Sequence, residues 1–200
     1  MIRWTPDLDA VRGLAHAWAW PVRLDGPEAV RALAGSPARP CDLADAALLR
    51  QPGAGARRLL RRRLLRALVA RALGQSVDGV RLDRTPDGAP TAQGAFVSLA
   101  ARGDWALLGV GPTPLGVDLE IPDGDPPPFA AGAGASSWAA WTAREAYAKA
   151  AGAPLDEAMA LEVRRASAQR VELRNGSERI TAAWLERDGL VCAAVALPAR

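Results

Sequence analysis

Two acidic residues in "GVDLEI", Asp118 and Glu120, sit two positions apart in a stretch that reads as a β-strand. Alternation puts Val117, Leu119 and Ile121 on one side and both carboxylates on the other. Like charges so placed repel unless a cation sits between them. Mg²⁺ takes one or two carboxylates together with waters and phosphate oxygens, so the spacing suits it. The plain alternative is the solvated outer face of an edge strand. Further on, "SSWAAWTAREAYAKAAG" spaces Trp138, Trp141, Glu145 and Lys149 three or four residues apart, along one helical stripe. Glu145 offers a third metal ligand or a base, with Lys149 one turn beyond. The alternative there is an i,i+4 ion pair worth ~0.2–0.5 kcal/mol to a surface helix. Lys149 is the sole lysine beside 24 arginines. An ammonium is a compact point charge whose pKa can be moved, whereas a guanidinium is a permanently charged fork.

The elements that must position these groups are legible from periodicity and turn chemistry. "HAWAWPVRL" predicts a strand ending before "DGP", and "GPEAVRALAG" a short helix closed by Gly35. Leu59, Leu60, Leu64, Leu65, Leu68, Val69 and Leu73 recur at helical spacing and predict a helix from about Ala54 to Leu73, with Gly74 as its stop. Its arginines are expected on the flanks and far side, snorkelling outward. "GVRLDR" and "AFVSLA" read as strands around the turn-rich "TPDGAPTAQG". "DWALLGVG" and "PLGVDLEI" read as a strand pair joined by "GPTP", and "PDGDPPPFAAGAGAS" as a loop. "ALEVRRA", "QRVELRN", "ERITAAWLERDG" and "LVCAAVAL" complete the chain as strands, with a hairpin turn at "NGS". Two halves, each with a long helix and several strands, predict an α+β fold in a pseudo-two-fold arrangement. The expected subdomains are residues 1–105 and 106–200.

Composition narrows the class. At 200 residues, half of them hydrophobic, the chain has material for a real core. The two cysteines, Cys41 and Cys192, lie far apart in no metal or redox spacing, which fits a reducing cytoplasm. No signal peptide and no membrane span are expected. The net charge of +3 divides into +6 over residues 1–105 and −3 over residues 106–200. Seven arginines and no acid fall in residues 57–71, a face that wants phosphate. The regular leucine stripe and the lack of an aromatic stacking surface argue against a nucleic-acid partner.

Together, "LGVDLE", a loop and "WTAREAYAK" resemble the signature of the 4'-phosphopantetheinyl transferase superfamily: a G-[IV]-D-[IL]-E strand followed by a W-[ST]-x-[KR]-E-A-x-x-K helix. The likeness extends to the arginine-bearing helix region, to "FVSLAARGDWALLGVG" and to the closing strands. Its length matches the monomeric, surfactin synthetase activator-like branch. The resemblance implies transfer of 4'-phosphopantetheine from coenzyme A to a serine of an acyl, peptidyl or aryl carrier protein, releasing 3',5'-ADP. It implies that Asp118, Glu120 and Glu145 hold Mg²⁺, or Mn²⁺, on the CoA pyrophosphate. Glu145 would activate the serine, and Lys149 would neutralise the transferring phosphoryl. Arg144 and Arg63 would meet the CoA phosphates, Arg63 being the match for the 3'-phosphate arginine. Phosphoryl transfer asks for such a set of metal, cations and positioning groups.

The sequence departs from the family pattern in three places. The Ser-His-Ser triplet is Ala100, Ala101 and Arg102 here, and Arg102 is expected to supply the missing cation. The Gly-Lys-Pro turn reads Gly88, Ala89, Pro90. The segment between Glu120 and Trp141 is short. The alternative function is therefore a catalytically impaired relative that binds a carrier protein or another pathway enzyme.

Overall fold

The computed structural model describes residues 1–124, 127, 137–167 and 169–199. The first half opens with β1 (Ile2–Trp4) and β2 (Ala17–Arg23) and runs through α1 (Pro27–Ala34), α2 (Pro40–Ala47) and α3 (Ala54–Leu73). It continues with β3 (Leu82–Arg84), β4 (Pro90–Ala92), β5 (Phe96–Arg102) and β6 (Trp105–Gly111). The second half holds β7 (Leu115–Glu120), α4 (Ser137–Ala151), α5 (Leu155–Met159), β8 (Glu162–Ser167), β9 (Arg170–Asn175), β10 (Glu178–Arg187) and β11 (Leu190–Ala196). One sheet has the order β1-β2-β6-β5, a second the order β7-β11-β10-β9-β8, and β3 and β4 form a separate hairpin. Every pairing is antiparallel except β1 with β2. The architecture is α+β. No described helix is long and apolar enough to cross a membrane.

Each large sheet carries one long helix. Leu64, Leu65, Leu68 and Val69 of α3 pack on Trp20, Leu108 and Val110 of the first sheet. The apolar residues that α4 buries in this cluster are all alanine, Ala139, Ala140, Ala143, Ala146 and Ala150, against Val171, Leu173, Val191 and Val195. A third cluster joins the two sheets: Ala19 and Leu107 on one, Val117, Leu119, Cys192 and Ala194 on the other.

Several expectations are corrected. β6 and β7 do not pair; β6 lies between β2 and β5, while β7 pairs with β11. The first sheet thus runs through Gly111. The two strands stack face to face because Gly109 has no side chain: a Cβ there would lie 2.7 Å from Val117 Cγ1 and 2.9 Å from Leu115 Cδ2. Ile121 falls beyond the end of β7 and is exposed. Not all the α3 arginines snorkel, since Arg62 and Arg66 are buried. Their partner is Asp42 of α2, itself wholly buried, which accepts from Arg62 Nε at 2.9 Å and from Arg66 Nη2 at 2.6 Å. The helix α2 went unread although its start is marked by Pro40 at N1 and Asp42 in the first turn. The predicted loop over residues 122–136 lies mostly outside the described residues.

Candidate metal centre and adjoining cleft

β7 stands at the edge of its sheet yet is buried from end to end. One face packs on the first sheet, and α4 covers the other. Gly116 makes that cover possible: a Cβ there would fall 1.9 Å from Ala146 O and 2.5 Å from Ala150 N. The helix backbone therefore rests on the strand backbone at Ala146 and Ala150, the residues next to Glu145 and Lys149. Such contact requires the alanines of α4 as much as the glycine.

This packing brings Asp118, Glu120 and Glu145 together. One carboxylate oxygen from each lies within 4.8 Å of the other two. Asp118 is 2% exposed and Glu120 7%, so the solvated-face alternative does not describe them. Glu145 is half-buried. Its carboxyl is pushed up to about 8, first by burial and then by the Asp118 carboxylate beside it. Lys149 Nζ donates to Asp118 Oδ1 at 2.6 Å and to the Val117 carbonyl at 3.2 Å, so the lysine bridges back to the strand rather than pairing along its helix. An ammonium has three donors, and two are used here.

Asp118 Oδ2 is buried and has no hydrogen-bond donor among the described residues. A buried carboxylate oxygen without a partner is costly. Carboxylate oxygens from three residues, gathered in one corner, are the hard donor set that Mg²⁺ or Mn²⁺ prefers. The residues present fit a divalent cation.

Beside this corner opens a cleft of about 750 Å³. Arg57, Arg58, Arg61 and Arg62 of α3 line it together with Arg84, and Lys149 stands on its wall. Gly88, Ala89 and Pro90, where the family pattern has its lysine turn, also line it. Arg61 Nη2 donates to the Gly103 carbonyl at 2.9 Å. Arg57 and Arg61 were not singled out from sequence, but the helical period separates them from Arg63. Positions 57, 58, 61, 62 and 65 share one stripe, while 63 lies roughly 200° around from 61.

Three of the residues expected on phosphates are placed elsewhere. Arg63 donates through Nη2 to Leu33 O at 2.7 Å and through Nε to Ser36 O, tying α3 to the end of α1. Arg144 is buried and donates to Leu161 O at 2.7 Å through Nη2 and 3.1 Å through Nε, a tie between α4 and the approach to β8. Arg102 does not stand free for a phosphate; it forms a two-point pair with Glu120, Nε to Oε2 at 2.8 Å and Nη2 to Oε1 at 2.6 Å. In each case a buried acceptor offers the guanidinium a partner that spacing along the chain does not reveal. A scan against protein-family models and a search of curated proteins find no match to this chain.

Proposed function

We propose that this protein transfers the 4'-phosphopantetheine group of coenzyme A to a serine hydroxyl of an acyl, peptidyl or aryl carrier protein, releasing 3',5'-ADP. The observation that carries the reading is a juxtaposition. Asp118, Glu120 and Glu145 converge from a strand and a later helix, with Lys149 between them and an arginine-lined cleft. A reaction at a pyrophosphate needs charge neutralised on both sides of the breaking bond, and little covalent chemistry from the protein.

Asp118, Glu120 and Glu145 would hold Mg²⁺, which would supply positive charge to the pyrophosphate oxygens. Arg57 and Arg61 receive the phosphates that remain on the nucleotide side. Lys149 neutralises the transferring phosphoryl group through its unused donor. Glu145 accepts the serine proton, directly or through water, as the serine oxygen–phosphorus bond forms and the pyrophosphate bond breaks, with 3',5'-ADP as the leaving group. In this reading the protein is cytoplasmic, and it acts as a monomer because one chain supplies both walls of the cleft.

A second reading, a carrier-binding relative without turnover, draws on the internal commitments of Arg63 and Arg144 and on Ala89 in the cleft lining. Incubation with CoA, Mg²⁺ and a carrier protein encoded beside this chain separates the two. Transfer adds one phosphopantetheine mass to the carrier. A carrier that gains nothing, with CoA binding that Mg²⁺ does not tighten, sinks the enzyme and leaves the binding protein.

A further inference from the structure

Glu120 is the most heavily engaged of the three clustered carboxylates. Arg102 takes both its oxygens, and Trp141 Nε1 donates to Oε1 at 3.3 Å as well. Each carboxylate oxygen offers about two acceptor sites. Oε1 is thereby filled, and Oε2 has one site left. Asp118 Oδ2, in the same cluster, is buried and has no donor. The corner thus holds one acidic oxygen with nothing to bind and another carboxylate bound twice over.

The two members of the Arg102–Glu120 pair differ in their freedom. The Glu120 side chain is 9% exposed and the Arg102 side chain 50%. Arg102 is the last residue of β5, at the rim, and its guanidinium has solvent to move into. Glu120 is fixed in a buried strand. A divalent cation that takes Glu120 along with Asp118 and Glu145 meets a guanidinium already on the same carboxylate. The two cations repel, and they share a single remaining acceptor site unless one leaves.

We propose that Arg102 is a rival of the divalent cation: it occupies Glu120 while the corner is free of metal and yields that carboxylate when metal binds. It is a positioning residue, acting on the metal through Glu120. The inference rests on reading the corner as a metal site; it does not rest on the identity of the group transferred. Its consequence is that the free protein's metal affinity is held down by one of its own side chains.

The test is calorimetric titration of Mn²⁺ into the full chain without CoA. Arg102→Gln, which removes the charge, should bind Mn²⁺ about tenfold more tightly than the wild type. Arg102→Lys should fall between them, because an ammonium is a point charge without the two-point fork. Adding Asp118→Asn to Arg102→Gln should abolish the tight binding, which assigns it to this corner. General structural damage would weaken binding, so the direction of change is the diagnostic. Equal or weaker binding in Arg102→Gln, or no binding in any form, overturns the proposal. Should Arg102→Gln not fold, the wild type carries the test by nuclear magnetic resonance. The Arg102 Nε–H, shielded by Glu120, should exchange faster once Mg²⁺ is added, and an unchanged rate overturns the proposal. Carrier modification lost with the rivalry intact counts against the transferase alone. Modification retained with no rivalry counts against Arg102 alone.

Discussion

The α3 wall of the cleft and the carboxylate corner handle charge in opposite ways. On the α3 side cations are in excess, yet acids from α2 meet the deepest of them. Asp42 receives Arg62 and Arg66, and Asp45 receives Arg58, Arg62 and Arg84 at 2.9, 3.6 and 2.9 Å. In the corner three carboxylates meet two cations, Arg102 and Lys149, and one buried oxygen of Asp118 is left with no donor. In the first arrangement every buried carboxylate is met, although Arg61 Nε and Arg66 Nε have no acceptor among the described residues; the second lacks a positive charge. Net charge along the sequence, +6 in the first half and −3 in the second, does not separate them; the pairing does.

If the α3 side is a closed structural network, breaking it should cost stability rather than chemistry. Asp42→Ala leaves two buried guanidinium groups without their carboxylate and should destabilise the fold by about 3–5 kcal/mol. Denaturant unfolding measures this. Burial by itself would raise the Asp42 pKa, but Arg66, Arg62 and the Arg39 backbone outweigh it and hold the carboxyl below its ordinary 3.8. With the folded value depressed, this stabilisation is complete above pH ~4 and is lost as pH falls through the folded value. Asp42→Asn should therefore show a flatter acid limb than the wild type. A wild-type stability that stays level through this range would count against the closed network.

The corner should respond the other way, losing chemistry with little loss of fold. Asp118→Ala and Glu145→Ala should lower Mg²⁺-dependent carrier modification on the order of 10²–10³-fold, as loss of a charge-stabilising group in a preorganised site does. Circular dichroism and melting should remain near wild type, because each change removes a mutually repelling carboxylate. Modification that survives in either variant would show that the three residues do not work as one site.

Gly116→Ala tests the packing that joins the two descriptions. The added methyl meets helix backbone at 1.9 Å, so α4 must move away from β7. Overpacking of this kind costs typically ~1–3 kcal/mol. It should also draw Glu145 and Lys149 away from Asp118, so metal binding should weaken more than the melting temperature alone explains. Full metal affinity in this variant would mean that the corner tolerates a displaced helix.

What was legible in the sequence follows the range of the forces involved. α3 and α4 could be read because periodicity is local, and the boundaries of α3 coincide with its leucine stripe and Gly74. The convergence of Asp118 with Glu145 was legible only as two spaced motifs, and Gly116 was in the quoted motif without its reason being visible. The rest depended on partners far along the chain. Arg66 is buried because Asp42, 24 residues earlier, meets it; Arg102 faces inward because Glu120 lies 18 residues on. The stacking of β6 on β7 could not be told from pairing, since both put apolar residues in contact across a short turn. Arg61 lines the cleft while Arg63 turns to the end of α1, a difference set by the helical period and not by position within the arginine run.

Lys149→Arg is the smallest perturbation and bears most directly on the contrast between a closed wall and an open corner. Every other cation in the chain is a guanidinium, so the substitution makes the corner resemble the α3 side. The ammonium takes one oxygen of Asp118, Oδ1, and leaves Oδ2 open. A guanidinium in its place has the fork to take both oxygens, as Arg102 does with Glu120. That closes the acceptor a metal would use, and it replaces a group able to exchange a proton with one that is not. If the protein is the proposed transferase, turnover should fall about tenfold while CoA affinity changes little. Steady-state kinetics beside a direct CoA titration resolves the two. Normal turnover would mean that the solitary lysine serves no chemical need, and a matching loss of CoA binding would move its role from the corner to the cleft.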